Sequence, residues 1–184
     1  MYQTLRQIAR IGIRTESTPA AADDVVVQRL HADILRVLGR ALTLRHVDAG
    51  SCNACELEAH ALMNPYYNIE GLGIRFVASP RHADALLVTG PVTKHMAIAL
   101  RRTYDATPEP RLVIAAGECA CGRGIFGESY ATLGAVDKLL PIDVAIPGCP
   151  PSPTALLQGI LAALRAAAAP PLRTEPTLGA DTAP

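Results

Sequence analysis

A chain of 184 residues with 49% hydrophobic side chains is long enough for one domain with a full core and needs no disulfide framework to hold it together. Its 17 Lys plus Arg balance 17 Asp plus Glu, which gives no reason to expect a nucleic-acid polyanion as partner. No apolar run reaches the roughly 18–20 residues of a spanning helix. Arg6, Arg10 and Arg14 break up the N-terminal apolar residues where a signal peptide would need a continuous core. A cytoplasmic chain with reduced thiols is expected, and there spaced cysteines point to metal or redox chemistry.

In chain order, residues 1–16 (MYQTLRQIARIGIRTE) put Leu5, Ile8 and Ile11 on one side of a helix and the three arginines on the other. That is the pattern of a basic amphipathic segment able to lie in a membrane interface or to dock on a membrane subunit. Residues 17–43 read as a helical extension with Val26, Leu30, Ile34, Val37 and Leu38 on one face, suited to packing on the domain or a partner. From residue 44 to 169, β-type runs alternate with helical segments. The runs are Leu44–Val47, Ile74–Ala78, Ala85–Thr89, Leu112–Ala116 and Val144–Ile146. The helices expected are Cys55–Met63, Val92–Tyr104, Tyr130–Leu139 and Thr154–Ala168, the last capped by Ser152 with Pro153 in its first position. Five strands with helices between them predict an α/β fold, an open, doubly wound, flavodoxin-like parallel sheet, whose ligands lie beyond the carboxyl ends of the strands. The proline-rich stretch 170–184 reads as a disordered tail.

All five cysteines fall at such strand ends. Cys52 and Cys55 follow the first strand, Cys119 and Cys121 the fourth, and Cys149 the fifth. Thiolates from three loops make a soft cage suited to zinc or to an iron–sulfur cluster. Structural zinc commonly pins small modules through two local Cys pairs. Here there is one such pair, and the core does not need zinc. Glycines beside the thiols (Gly50, Gly117, Gly122, Gly124, Gly148) let backbone approach and donate to sulfur, which favours the cluster.

The motifs C-N-A-C-E, G-E-C-A-C-G-R-G-I-F and I-P-G-C-P-P, in this order, together with S-P-R-H-A-D-A-L-L-V-T-G-P-V-T at 79–93 and A-L-R-R-T-Y-D…P-E-P-R at 99–111, carry a family resemblance. From about His46 to Leu164 the chain resembles the 20 kDa subunit family of respiratory complex I and the small subunits of membrane-bound group 4 [NiFe] hydrogenases. The resemblance implies one [4Fe–4S] cluster held by Cys52, Cys55, Cys119 and Cys149 at the carboxyl-end edge of the sheet. Complex I members usually carry two adjacent cysteines at the first position. The separated pair Cys52-Asn53-Ala54-Cys55 is similar to the hydrogenase branch instead. The implied function is an electron-transfer small subunit of a formate-hydrogenlyase-like or other energy-converting hydrogenase, peripheral on the cytoplasmic face of the cell membrane. Implied partners are a hydrogenase-type large subunit similar to the complex I 49 kDa subunit, a ferredoxin-like iron–sulfur subunit and integral membrane subunits. The alternative is a quinone-reducing subunit of complex I type. An FMN-binding module fits less well, because the loops offer cysteines and prolines rather than a hydroxyl-rich phosphate cradle.

Two residues stay open at this level. Cys121 is either a buried thiol beside the site or a substitute for Cys119. Glu56, which follows Cys55, is either an acid favoured by the first turn of its helix or a group that moves protons. His31, His46, His60, His82 and His95 show no paired ligand spacing and read as structural or surface residues. Arg101 and Arg102 read equally as a solvated helix face or as a partner contact.

Overall fold

The computed structural model describes residues 41–168, together with Arg6 and Ala32. The expected N-terminal segment apart from Arg6, the extension at 17–31 and 33–40, and the tail at 170–184 lie outside the described residues. In chain order the elements are β1 (Leu42–Asp48), α1 (Ala54–Ala61), β2 (Ile74–Phe76), β3 (Ala85–Thr89), β4 (Val92–Thr93), α2 (Lys94–Ala106), β5 (Leu112–Ala116), β6 (Thr132–Gly134), β7 (Val144–Ile146) and α3 (Pro153–Ala168). Five strands form one sheet in the order β2-β1-β3-β5-β7, and every pair in it is parallel. This is the doubly wound order in which the chain changes direction between β1 and β3, so ligand-carrying loops gather at the carboxyl edge.

Alternation along the central strands explains the two-faced core. On β3, Ala85 and Leu87 join one apolar cluster with Leu62, Leu156 and Ile160, while Leu86 and Val88 join the other with Leu100, Tyr104 and Val136. Ile114 and Ala116 of β5 face the first cluster, and Val113 and Ala115 the second. Such strands read as unbroken apolar runs because both faces are covered by helices.

Several boundaries differ from expectation for identifiable reasons. β1 takes in Leu42 and Thr43, which were expected to end the helical extension. Leu42 is buried, and the Thr43 N–H and hydroxyl both bond Asp84 Oδ2, at 2.9 and 2.7 Å. The run at Ile74 stops as a strand at Phe76; Val77 N–H still reaches the Leu44 carbonyl at 2.8 Å, and Pro80 then opens a 3-10 turn. α1 is shorter than Cys55–Met63, closing through Leu62 N–H to the Ala59 carbonyl. α2 begins at Lys94 because Thr93 is its cap, accepting the Met96 N–H at 3.3 Å. α3 starts at Pro153 with Ser152 Oγ accepting the Ala155 N–H at 3.3 Å, as expected.

The helix expected over Tyr130–Leu139 does not form. Residues 132–134 pair antiparallel with β4 instead, Lys94 N–H bonds the Ala131 carbonyl, and only the 3-10 turn Val136–Lys138 follows. The helical spacing of Leu133, Val136 and Leu140 reflects their burial against the second cluster. Their backbone partners are claimed by a segment about 40 residues earlier, which local periodicity does not reveal.

Candidate metal centre

The loop after β1 is shaped by its own short side chains. Asp48 Oδ1 accepts the N–H groups of Gly50 and Ser51, both at 2.7 Å, which turns the chain away from the sheet. Ser51 Oγ accepts the Asn53 N–H at 3.1 Å and donates to Glu56 Oε2 at 2.5 Å. Asn53 precedes α1 in the left-handed region, φ 74°. Cys52 is thereby exposed on the loop, and Cys55 half-buried in the first turn of α1.

The thiol of Cys55 reaches across to the end of β5. A Cβ on Gly117 would lie 2.6 Å from Cys55 Sγ, and Gly117 has φ +98°, so both space and backbone demand glycine. One loop further, a Cβ on Gly124 would lie 2.4 Å from Cys119 Sγ and 2.7 Å from Cys119 Cα. Cys149 follows β7 and is exposed. Three loops from three parallel strands therefore meet at one edge.

Burial pushes the Cys55 thiol up to about 12, and the negative charges of Glu56, Cys52, Cys149 and Cys119 add to the shift. Burial likewise raises Cys119; the Phe126 amide partly offsets it, and Cys149, Cys52 and Glu118 add to it. Thiolates gathered this way repel one another unless a cationic centre compensates them. Among the described residues, no three His, Cys, Asp or Glu side chains are gathered closely enough to hold one metal ion. Zinc would require its sulfurs about 2.3 Å from a shared centre. Soft thiols on three loops at one edge, with glycines leaving room beside Cys55 and Cys119, are donors of the kind that an iron–sulfur group takes.

Cys121 is oriented differently. Its Sγ lies 3.6 Å from the Ala115 carbonyl and 3.7 Å from that of Ile146, packed against the second apolar cluster. Burial raises its thiol, Arg123 and the hydrogen bond to the Ile146 backbone offset this in part, and Glu118 and Asp137 add to it.

Glu56 is buried, and its Oε1 has no hydrogen-bond partner. His46 Nε2 stands 3.8 Å from that oxygen and 3.0 Å from Thr89 Oγ1. Burial lowers the His46 pKa, partly countered by Glu56 and Asp48. A cleft of about 290 Å³ opens beside them, lined among others by Arg45, His46, His60, Met63 and Phe76. By spacing alone His46 reads as a structural or surface residue, because the turn that brings it to Glu56 has no signature in sequence. The other sites fall as solvated residues: His95 is exposed, His82 lends its backbone carbonyl to Thr43 Oγ1, and Arg101 pairs with Asp105 at 3.4 Å on the helix surface.

Residues 52–163 match the family model of the NADH ubiquinone oxidoreductase 20 Kd subunit. The chain belongs to that family. It is 45% identical over 133 residues to a probable membrane-bound hydrogenase subunit of Pyrococcus furiosus, covering 72% of this chain and 80% of that one. It is 41% identical over 146 residues to formate hydrogenlyase subunit 7 of Escherichia coli, covering 79% of this chain and 57% of the relative. It is also 46% identical over 123 residues to an NADH-quinone oxidoreductase subunit of Desulfovibrio desulfuricans, covering 67% of this chain and 66% of the other. Among solved structures, it is similar to a chain of the membrane-bound sulfane sulfur reductase, an archaeal respiratory membrane complex. There the TM-score is 0.62 at 32% identity, covering 75% of each chain. Members of this 20 Kd subunit family are thus subunits of oxidoreductase complexes, two of those named here being membrane-bound. Among the described residues no helix is long and apolar enough to cross a membrane.

Proposed function

We propose that this chain is the electron-transfer small subunit of a membrane-bound, energy-converting [NiFe] hydrogenase-type complex, holding one [4Fe–4S] cluster next to the active site of a large subunit. The observation that supports the reading is that the loops carrying Cys52, Cys55, Cys119 and Cys149 follow parallel strands at one sheet edge, with Gly117 against Cys55 Sγ and Gly124 against Cys119 Sγ, while Cys121 Sγ lies against strand carbonyls. Those four thiolates are the ligands. When bound, such a cluster takes up and passes on single electrons. The chain's own residues supply the soft donors, keep backbone close at Gly117 and Gly124, and partly bury two of the thiols. Its partners are a hydrogenase-type large subunit, a ferredoxin-like subunit and integral membrane subunits on the cytoplasmic face of the cell membrane. Residues 1–16 are a docking segment for that membrane assembly.

The separated pair Cys52-Asn53-Ala54-Cys55 supports the hydrogenase branch over a quinone-reducing one. The second reading, a quinone-reducing subunit of complex I type, draws on the comparable identity to the quinone oxidoreductase relative. Nickel and hydrogen-dependent dye reduction in the purified complex separate the two. The ligand set is tested by making all five Cys→Ser variants singly and measuring iron, acid-labile sulfide and the paramagnetic resonance signal of the reduced state. Four variants are expected to lose the native signal and Cys121→Ser to keep it. Loss in Cys121→Ser with retention in Cys119→Ser overturns the assignment, and near-native iron in all five overturns the cluster.

A further inference from the structure

β5 and β7 pair only as far as Ala116 and Ile146, yet the two loops beyond them stay joined. Gly117 N–H donates to the Ile146 carbonyl at 2.8 Å, and Glu118 N–H to the Gly148 carbonyl at 2.9 Å. The return bond comes from a side chain: Gly148 N–H donates to Glu118 Oε1 at 3.1 Å. The Glu118 carbonyl in turn accepts the N–H groups of Arg123 and Gly124, at 2.8 and 2.9 Å. Gly124 is the residue that leaves room beside Cys119 Sγ. One residue thus ties together the position before Cys119, the position before Cys149 and the backbone packed on the Cys119 sulfur. A proline-bounded loop, Pro147 to Pro151, has few other amides with which to fix itself.

We propose that Glu118 is a positioning residue for the cluster edge, clasping the Cys119 and Cys149 loops to each other and setting a fixed negative charge beside them. The inference rests on the cluster reading above and adds a residue to it. Its chemistry separates into two parts. The acceptor oxygen holds the Gly148 amide, and losing it leaves that N–H without its partner and frees the Cys149 loop. The charge opposes the addition of an electron nearby, so it holds the potential of the site down.

The test uses the purified complex with Glu118→Gln and Glu118→Ala. The glutamine keeps an acceptor oxygen and the side-chain shape while removing the charge. Three quantities are read: iron per subunit, the midpoint potential from a mediated titration followed by paramagnetic resonance, and the rate of iron loss to a chelator. Glu118→Gln is expected to keep wild-type iron and release rate while its potential moves positive. Glu118→Ala is expected to show the positive shift and to lose iron about tenfold faster, the effect of one hydrogen bond to a charged group. An unchanged potential in Glu118→Gln, or an unchanged release rate in Glu118→Ala, overturns the proposal while the cluster reading stands. Wild-type complex without iron at this subunit overturns both.

Discussion

The two halves of the thiol edge are built by different means. The Cys52–Cys55 loop is organised locally: Asp48, Ser51 and Glu56 fold the turn back on itself within nine residues, and the helix start carries the second thiol. The Cys119 and Cys149 loops each carry one ligand candidate and are organised across the chain, by backbone and side-chain bonds between segments about 30 residues apart. A local turn costs little entropy to close, whereas a long-range one depends on the strands beneath it being in register. Damage to the first region is therefore expected to stay local, while damage to the second spreads into the β5–β7 edge of the sheet.

The largest effect is expected where the regions touch. In Gly117→Ala the new Cβ lies 2.6 Å from Cys55 Sγ and the backbone holds φ +98°. Left-handed strain of about 1–2 kcal/mol and overpacking of about 1–3 kcal/mol act together, and both halves must move apart. Denaturant melts of the variant are expected to show the largest loss of stability among these changes and, on the cluster reading, the loss of most bound iron. A variant that keeps full iron and wild-type stability would mean that the two halves are not in contact there.

The folding logic of both halves is partly legible in the sequence. The runs Ala85–Thr89, Leu112–Ala116 and Val144–Ile146 form strands with those bounds, because buried parallel strands are unbroken apolar runs between polar or glycine breakers. Their order then predicts a shared carboxyl edge and so brings the five thiols to one region. What stayed hidden is non-local. The pairing of Thr132–Gly134 with Val92–Thr93 overrode a helical spacing, and the Glu118–Gly148 bonds link loops with no motif in common. The contact of His46 with Glu56 depends on the side-chain direction at a turn. The direction of the Cys121 thiol, toward strand carbonyls and not toward the edge, likewise follows from backbone geometry that a C-A-C spacing does not encode.

A middle-sized effect isolates the local half. Asp48→Ala removes the acceptor for the Gly50 and Ser51 amides, which at this exposed position should cost about 1 kcal/mol. Burial alone would raise the Asp48 pKa, but the Ser51 and Gly50 amides outweigh it and hold the carboxyl below its ordinary value. A depressed carboxylate contributes stability that is present above its unfolded pKa and lost as the pH falls through the folded one. The wild type and Asp48→Ala curves of stability against pH are therefore expected to differ at neutral pH and to approach each other in strong acid. Hydrogen exchange should rise at residues 50–55 and not at Gly148 and Cys149. Equal loosening of both loops would break the distinction between a local and a long-range half.

The smallest effect concerns the histidine behind the local half. Burial holds His46 below its ordinary pKa, against the pull of the Glu56 and Asp48 carboxylates; His60 and Arg45 add a further lowering. A base that folds into its neutral form favours folding when the solvent leaves it neutral and disfavours folding when the unfolded chain protonates more readily. Stability is thus fully present above about 6.5, the unfolded value, and declines as the pH falls from there toward the folded pKa. His46→Gln replaces the imidazole with a group that can still bond Thr89 Oγ1 but does not titrate. The variant is expected to match the wild type near pH 5 more closely than near pH 8, the comparison being made by denaturant midpoints on the same preparation. Were the wild type instead to gain stability relative to His46→Gln on acidification, the Glu56 carboxylate would have to dominate over burial. His46 and Glu56 would then form an ion pair beneath the Cys52–Cys55 loop.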